Sequence, residues 1–332
     1  MRVPYEDLWD ALRGALAALG FAADRADLCA RLFAETTRDG VYSHGVNRFP
    51  RFVGMIRAGL VDVAATPVRI AAHGALERWD GRRGPGNLNA HACMAAAIAR
   101  ARESGLGGVA LANTNHWMRG GTYGWQAADA GCVGVCWTNT MPNLPPWGTS
   151  EPRLGNNPLV FAVPRPEGPH VVLDMAMSQF SYGALASYRE RGEWLPVPGG
   201  FDASGELTRD PGAIEASGRP LPIGYWKGAG LALMLDLVGA LLSGGPGTQG
   251  VPRTPETETG LSQVFLAFDA SALGTPDEAD RIVERIVDDL HAPTAAGERA
   301  RYPGERTLET RRRNLAEGVP VEPSIWRFIH DI

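Results

Sequence analysis

The chain has 332 residues, 44% of them hydrophobic and 21% charged, which is a normal balance for one large or two ordinary globular domains. A net charge of -5 and a pI of about 5.8, without a stripe of basic residues, argue against a nucleic-acid-binding protein. The N-terminus is acidic where a signal peptide would be basic and then apolar, and Asp236 interrupts the longest apolar stretch, residues 228–243. We therefore expect a soluble, cytoplasmic protein that binds neither nucleic acid nor a membrane.

The first 60 residues are predicted to form helices. Leucines repeat at helical spacing up to Gly20, which ends the first helix, and a second helix is predicted between Asp24, as its N-cap, and Gly40. A third helix is predicted over residues 51–58. His44 therefore lies just past a helix end, where a loop can present it to a ligand.

From about residue 68, short apolar runs alternate with helix-like stretches, which predicts a mixed α/β architecture. Strands are predicted over residues 68–72, 108–112, 133–138, 159–163, 171–173 and 262–268. Helices are predicted over residues 89–104, 121–130, 228–243, 276–290 and about 304–316. Residues 199–222 are rich in Gly, Pro, Asp and Ser and are predicted to form a long loop.

A hydroxyl, an imidazole and a guanidinium lie within six residues at Ser43, His44 and Arg48. Imidazole, with an unperturbed pKa of about 6.5, can carry and release a proton near neutral pH, and the guanidinium fork matches a carboxylate. The segment therefore suits an anionic, oxygen-rich substrate. The alternative is that His44 packs under the helix end and Arg48 is a solvated charge, and the local sequence does not decide between the two.

A second set of polar side chains, Asn115, His116 and Arg119, follows a predicted strand and precedes a predicted helix. Mixed α/β proteins commonly bind ligands at such strand ends, although an isolated histidine there is more often structural than catalytic. Asp174 also emerges from a predicted strand. It could orient His44, as a carboxylate orients the imidazole of a catalytic triad, or it could cap the helix predicted to follow it.

The common cofactor and hydrolase motifs are missing. The nearest candidate for G-x-G-x-x-G, residues 105–110, lacks the third glycine and leads into a strand, so a Rossmann cofactor site is not expected. Residues 225–230 open a predicted helix with small residues and Lys227, which suits either a phosphate at the helix N-terminus or close packing of a buried helix. HExxH, P-loop and G-x-S-x-G motifs are absent, and the four cysteines lack paired spacing, so no metal site is expected.

At residues 42–52 and 115–121 the chain resembles the malate/L-lactate dehydrogenase type-2 family of nicotinamide oxidoreductases. The similarity runs essentially end to end, with further shared segments at residues 137–139, 145–148, 156–159, 174–175, 180–183, 224–228 and 303–304. It implies a non-Rossmann NAD-binding fold, which agrees with the missing glycine motif. The expected architecture is a helical domain built from residues 1–75 and 295–332, and a mixed α/β domain, residues 76–294, that binds cofactor and substrate.

The resemblance also implies roles for individual residues. His44 is expected to donate a proton to the substrate carbonyl, with Ser43 and Asp174 as candidates to hold its ring. His116 is expected near the substrate as a second, less favoured histidine. Substrate contacts are expected at Arg48, which would clamp a carboxylate, and at Asn115 and Arg119. Cofactor contacts are expected at His170, Val171, Val172, Leu173, Asp174, Met175, Ala176, Trp226, Lys227, Gly304, Glu305 and Arg306.

Residues 117–119 resemble the diketogulonate reductase subgroup of this family, and their added arginine suits a polyhydroxylated acid, whereas residues 140–144 depart from the subgroup. The resemblance implies reduction of 2,3-diketo-L-gulonate to 3-dehydro-L-gulonate by NADH, with NADPH as the alternative cofactor, in a homodimer. Another hydroxy-acid dehydrogenase of the family, acting on malate, lactate, sulfolactate or ureidoglycolate, is an open alternative. A metal-dependent hydrolase or lyase with His44, His116 and Asp174 as ligands, and a binding protein without enzymatic activity, are two more.

Overall fold

Strands and helices alternate along the middle of the chain in the computed structural model, which describes residues 1–272 and 274–332. The strands are β1 (Arg2–Val3), β2 (Val68–His73), β3 (Leu76–Asp80), β4 (Leu106–Asn115), β5 (Cys132–Thr138), β6 (Leu159–Val163), β7 (Val171–Met175), β8 (Gly200–Phe201), β9 (Leu207–Thr208), β10 (Thr259–Asp269) and β11 (Val319–Pro320). The α-helices are α1 (Tyr5–Ala18), α2 (Ala23–Arg38), α3 (Phe49–Arg57), α4 (Gly86–Ser104), α5 (Gly121–Asp129), α6 (Tyr182–Glu190), α7 (Pro211–Ser217), α8 (Trp226–Ser243), α9 (Pro276–His291), α10 (Glu305–Glu317) and α11 (Pro323–His330). The predicted mixed α/β class is confirmed.

A seven-stranded sheet forms the centre of the fold, with the strand order β2-β3-β4-β10-β5-β6-β7. Neighbouring strands are antiparallel except for β3 and β4, which are parallel. Val264 and Phe265 of the central strand β10 are both fully buried, as expected for a strand that is covered on both faces. The strand β7 is an edge of the sheet, and the predicted cofactor segment 170–176 includes it.

Helices cover the two faces of this sheet. On one face α4 and α5 pack through Met94 and Ala127 into a core that contains Phe265. On the other face α8 packs through Ala232 into a core that contains Val264. Consecutive strand residues point to opposite faces, so one strand contributes to both cores.

Helix α8 is long and apolar enough to cross a membrane, judged by length and composition alone. Its inner face packs in the protein core, where Trp137 Nε1 donates a hydrogen bond to Leu235 O at 3.0 Å and the buried Asp236 carboxylate accepts one from Thr248 N at 2.8 Å. The opposite side of the helix carries exposed apolar residues. We call them the outer α8 face: Leu233, Met234, Leu237 and Leu241.

The two ends of the chain share a separate core. The strands β1 and β11 pair antiparallel, and Leu12 of α1 is buried in one cluster with Val319 and Ile329. The strand β2, which the predicted boundary at residue 75 assigns to this helical part, pairs with β3 and lies in the large sheet. The predicted boundary therefore runs through the hairpin of β2 and β3. The sequence does not indicate β3, because this strand is charged and partly exposed and has no clear apolar pattern.

The predicted N-cap of α2 is wrong. The helix starts two residues earlier, with Ala22 at its N-cap and no side-chain hydrogen bond there. Asp24 lies within the first turn, where a negative charge interacts favourably with the helix dipole.

The prediction of a long loop over residues 199–222 is also wrong. This stretch contains β8, β9 and α7, and Leu195 and Ile214 are buried against Leu185 of α6. Three large apolar residues are enough to pack these short elements together, although Gly and Pro dominate the local composition.

Candidate active site

The segment between α2 and α3 forms two single turns of 3₁₀ helix, Tyr42–His44 and Val46–Arg48. Gly45 lies between them and packs against α2, where an added Cβ atom would be only 2.9 Å from Thr37 N. The chain can therefore pass this close to α2 only with glycine at this position. Thr37 Oγ1 also accepts a hydrogen bond from Val46 N at 2.9 Å, which fixes the turns that carry the predicted proton donor and carboxylate clamp.

His44 is held by the hydroxyl group of Ser43, which lies 3.0 Å from its Nδ1 atom. A hydroxyl can donate to a neutral Nδ1 or accept from a protonated one, so this contact is compatible with both states of the ring. Burial lowers the pKa of His44 to about 4, and the positive charges of Arg48, Arg119 and Arg51 act in the same direction. His44 is therefore neutral at pH 7 in the free protein.

His116 lies beside His44, with ring centroids 5.8 Å apart and ring planes inclined by 27°. Its Nδ1 atom accepts a hydrogen bond from Met118 N at 3.0 Å, so its proton lies on Nε2. Burial, followed by the charge of Arg48, holds the pKa of His116 well below its usual value. Protonating Nδ1 would break the contact with Met118, so this ring can donate a hydrogen bond from Nε2 but is poorly suited to become cationic.

Arg48 forms an ion pair with Glu258, the residue directly before β10, at 3.3 Å between its terminal nitrogen and Oε2. The other oxygen of Glu258 accepts a hydrogen bond from Met141 N at 3.1 Å. Glu258 is buried, whereas Arg48 is partly accessible. Sequence reasoning missed Glu258, because a pair 210 positions apart leaves no local signal.

Arg119 is buried, and its guanidinium donates to Asp39 at 2.7 Å. Asp39 also accepts two hydrogen bonds from Arg311, at 2.8 and 2.7 Å. Burial alone would raise the pKa of Asp39, but Arg311, Arg119 and Arg38 hold it well below its usual range. The predicted substrate contact Arg119 is thus already engaged within the protein, and its charge acts on His44 from a distance.

Asn115, another predicted substrate contact, holds the backbone around the site. Its side-chain amide donates to the carbonyl oxygens of Leu60, Arg83 and Gly84 at 3.2, 2.9 and 3.0 Å. These bonds anchor the end of β4, and His116 follows directly. Its buried Oδ1 has no hydrogen-bond partner in the described part of the chain.

Asp174 accepts a hydrogen bond from Gly121 N at 2.7 Å and so caps the N-terminus of α5. Neither of the predicted arrangements is found: within residues 1–272 and 274–332 no hydrogen bond joins Asp174 to His44, and no helix directly follows β7. The Asp174 side chain retains solvent access. Burial by the surrounding protein raises the pKa of its carboxyl group, and the positive charge of Arg119 partly offsets this rise. These properties are typical of a carboxyl group in a cleft.

Two of the three predicted cofactor segments meet at the edge strand β7, and the third follows a residue that is bonded just beyond the end of that strand. Val172 N donates to Pro303 O at 3.0 Å, and Ile223 N donates to Met177 O at 2.8 Å just beyond the strand. Gly304 has a φ angle of +96°, and an added Cβ atom would be 3.2 Å from Val172 N. The segments 170–176 and 304–306 are therefore in contact, and residues 226–227 follow three positions after Ile223, although all three segments are distant in the sequence.

The side chains on this edge differ in what they can offer a ligand. Trp226 and Lys227 are exposed at the N-terminus of α8, where the positive charge of Lys227 suits a phosphate. His170 is engaged on both ring nitrogens, with Arg165 N and Asp129, and Glu305 pairs with His291. Backbone and side-chain groups on this edge remain partly or fully accessible at Val171, Leu173, Asp174, Met175, Ala176 and Arg306. Lys227 and the accessible groups along β7 are therefore the parts of this edge that can contact a ligand.

The ligand set of a metal-dependent enzyme is not assembled. In the described residues no group of three or more His, Cys, Asp or Glu side chains lies close enough to hold a metal ion. His44, His116 and Asp174 therefore do not form a ligand group, and the four cysteines are free and buried.

A family model described as malate/L-lactate dehydrogenase matches residues 3–330 of the chain. The chain is 46% identical over 331 residues to the 2,3-diketo-L-gulonate reductase of Citrobacter koseri, and the match covers 99% of both proteins. Its fold is similar to that of the sulfolactate dehydrogenase from Methanocaldococcus jannaschii, with a TM-score of 0.92, 26% identity and coverage of 100% of this chain and 96% of the other. The malate dehydrogenase from Pyrococcus horikoshii is similar with a TM-score of 0.89, 27% identity and coverage of 100% and 94%.

Proposed function

Because this chain belongs to the malate/L-lactate dehydrogenase family, and is therefore an oxidoreductase acting on 2-hydroxy and 2-oxo acids, we propose that it reduces 2,3-diketo-L-gulonate to 3-dehydro-L-gulonate. The observation that carries this proposal is the paired imidazole site beside Arg48, with His44 held through Nδ1 and without a hydrogen bond at Nε2 in the described part of the chain. The 46% identity to the Citrobacter koseri reductase over nearly its whole length supports the choice of substrate.

His44 is the proton donor in this proposal. As the C2 carbonyl of the substrate is reduced, its oxygen takes a proton from Nε2 of protonated His44 and becomes a hydroxyl group. The Ser43 hydroxyl supports this role, because it can accept a hydrogen bond from Nδ1 while His44 is cationic. His116 would serve as a neutral hydrogen-bond donor to the substrate, because its Nδ1 is occupied by Met118 N.

Arg48 would bind the substrate carboxylate. Glu258 contacts one terminal nitrogen of its guanidinium, and the remaining donors have no hydrogen-bond partner within residues 1–272 and 274–332. A planar guanidinium can bind two carboxylates along different edges, since it has five donors. A bound carboxylate would also offset the positive charges that lower the pKa of His44, and so favour the protonated acid.

The family implies a nicotinamide cofactor, and we propose NADH, with NADPH as the alternative to be compared. Residues 170–176, 226–227 and 304–306 along β7 would hold it, with Lys227 beside a phosphate. When bound, the reduced nicotinamide supplies the hydride. The protein positions the substrate, donates the proton and limits access of water to the two histidines.

We further propose that the enzyme is a cytoplasmic homodimer that acts on a small-molecule oxoacid. The outer α8 face supports the dimer, because four apolar residues of one helix are exposed there. The sheet beside α8 is also incompletely covered: Phe268 pairs with Leu106 across β10 and β4, and both are exposed. Phe268 is four residues from Val264 and shares its face, so this surface is continuous with the α8 side of the sheet.

The decisive experiment measures NADH and NADPH oxidation with 2,3-diketo-L-gulonate and with the oxoacids that correspond to malate, lactate, sulfolactate and ureidoglycolate. We expect the highest kcat/KM with diketogulonate and NADH. The variant His44→Ala should lose at least ~10²-fold in turnover while still binding NADH, because a positioned acid contributes about 10² to 10⁴ to the rate. His73→Ala, an exposed histidine on β2, is the matched control and should keep wild-type activity.

Each outcome of this panel has a definite meaning. A higher kcat/KM with another oxoacid assigns that oxoacid as the substrate. The role of His44 as the acid is not affected by this result. Normal turnover of His44→Ala contradicts that role. Consumption of a substrate without NADH oxidation that stops with a metal chelator would instead favour the hydrolase or lyase alternative, and binding of NADH without turnover of any oxoacid would favour a binding protein.

A further inference from the structure

We infer that Glu258 is the positioning residue of the carboxylate-binding arginine, and that it sets the preference of the site for substrates that carry a carboxylate. The inference rests on the proposed function, since the role of Arg48 as a clamp is part of that proposal. It adds a residue to the site that is remote in sequence from both histidine segments.

Glu258 lies where three parts of the site meet. It directly precedes β10, whose first residue, Thr259, is paired with Asn115 next to His116. One of its oxygens is 3.3 Å from the guanidinium of Arg48, and the other accepts from Met141 N at 3.1 Å. Glu258 thus joins the 42–48 turns to the segment 140–144, which differs from the diketogulonate reductase pattern.

The contact determines where the guanidinium points. The Glu258 side chain is 5% exposed and therefore fixed, whereas the Arg48 side chain is 16% exposed and has one carboxylate partner in the described chain. An arginine side chain without such a partner samples many rotamers, and a substrate would have to order it on binding. A buried carboxylate that holds one edge of the guanidinium leaves the other edge pre-organised for the substrate.

The two contacts require a carboxylate rather than an amide. Glu258 faces two donors, Met141 N and the Arg48 guanidinium, and it meets each with one oxygen. Glutamine would present one oxygen and one NH₂ group, so one of the two donors would face another donor. Aspartate keeps both oxygens but is one methylene shorter, and it could satisfy the two donors only in part.

The arginines of the site differ in their ion-pair partners. Arg119 shares the carboxylate of Asp39 with Arg311, whereas Arg48 pairs with Glu258. Arg51, three residues further along on the same side of α3, has no ion pair in residues 1–272 and 274–332, and its charge reaches both histidines. The positive charges of Arg48 and Arg51 both reach the two histidines and attract an anionic substrate, while Glu258 acts on the orientation of Arg48.

The test compares a carboxylate substrate with its neutral amide analogue in wild type, Glu258→Gln, Glu258→Asp, Arg48→Met and the double variant Glu258→Gln/Arg48→Met. Glu258→Gln should raise KM for the oxoacid by about tenfold or more, because it disrupts a hydrogen bond between charged groups. The kcat/KM for the amide and the affinity for NADH should stay unchanged. Glu258→Asp should recover part of the loss, and the double variant should be no worse than Arg48→Met alone.

A matched control separates positioning from general stability. Glu77→Gln removes another buried carboxylate, which pairs with Arg69 and Arg100 on the sheet away from the histidines. It should lower the thermal unfolding temperature and leave the ratio of oxoacid to amide turnover unchanged. An equal loss for oxoacid and amide in Glu258→Gln, or additive losses in the double variant, would overturn the inference.

The outcomes also separate this inference from the proposed function. A wild-type enzyme that turns over no oxoacid contradicts the proposed function. A different result is an active wild type in which Arg48→Met loses the oxoacid preference while Glu258→Gln and Glu258→Asp keep it. That result contradicts the role of Glu258 but not the proposed function. Should Glu258→Gln fail to fold, Glu258→Asp carries the test, and a wild-type KM for that variant would count against the inference.

Discussion

At the level of single residues, the two histidines of the site differ in what holds their Nδ1 atoms. A hydroxyl that can donate or accept faces Nδ1 of His44, and a backbone N–H that can only donate faces Nδ1 of His116. The first environment permits a cationic ring and the second opposes it. The sequence places both residues in polar segments, but the choice of proton donor depends on these contacts.

The pH dependence of catalysis follows from the lowered pKa of His44. Reduction requires the protonated ring of His44, and kcat/KM reports the protonation state of the free enzyme. The pKa of His44 in the free enzyme is about 4. The kcat/KM for reduction should therefore fall as pH rises from about 5 to about 8. Bound substrate carboxylate raises the pKa, so kcat should fall only at higher pH. Oxidation of the hydroxy acid uses the neutral ring, and its kcat/KM should be flat over the same range.

Steady-state rates measured in both directions across this range test the assignment. A kcat/KM for reduction that is flat or rises between about pH 5 and about pH 8 would contradict His44 as the acid.

At the level of elements, Asp39 joins three segments that are remote in sequence. It lies at the end of α2 and pairs with Arg119 just before α5 and with Arg311 in α10. Arg311 in turn packs over the ring of Trp125, with 4.8 Å to its centroid. These contacts tie the helical part of the chain to the sheet beside the active site.

Substituting Asp39→Asn should lower the free energy of unfolding by about 3–5 kcal/mol at pH 7, because it leaves two partly or fully buried guanidinium groups without their carboxylate. The folded pKa of Asp39 is depressed, so its contribution is present above the unfolded pKa of about 3.9 and is lost as pH falls through the folded pKa. The difference between wild type and variant should therefore shrink in strong acid.

Denaturant unfolding at neutral and acidic pH measures this difference. Asp10→Asn, which removes an exposed partner of Arg13, is the control and should have little effect. Equal stability of Asp39→Asn and wild type at pH 7 would show that the cluster does not hold these elements together.

The elements found in the structure show which patterns a single sequence can specify. The strand β6 spans the predicted residues 159–163, and α5, α8 and α9 differ from their predictions by one or two residues, because apolar periodicity is strong there. The strand β3 and the helices α6, α7 and α11 were not predicted. The three helices are short, and Leu185, Ile214 and Ile329 are buried only by packing against other elements of the fold.

At the level of the whole molecule, the outer α8 face is the most exposed apolar surface of a core helix. Leu241 is 74% exposed and Met234 55%, although the opposite side of the same helix packs on the central sheet. A second copy of the chain would cover this surface, and a stable dimer buries roughly 1,600 Å² in total. The outer α8 face also explains why α8 resembles a membrane-spanning helix in composition.

Replacing Met234 and Leu241 together with glutamate should convert the proposed dimer into a monomer, because the charges would be buried without partners at the interface. Sedimentation velocity or light scattering at several concentrations measures the change. Leu315→Glu alters an exposed leucine of α10 outside this face and should leave the dimer intact. A monomeric wild type, or a double variant that remains dimeric, would contradict the assignment of this surface.

The sequence by itself determined the mixed α/β class, the family and the segments that carry His44, His116 and the β7 edge, because these depend on local periodicity and on motifs that are contiguous in the chain. Only the tertiary structure decided how the charges are shared: Glu258 with Arg48, and Asp39 with Arg119. These pairs join residues 210 and 80 positions apart. Their partners are chosen by burial, since a charge removed from water requires a counter-charge at hydrogen-bonding distance, and the fold alone determines which one lies there.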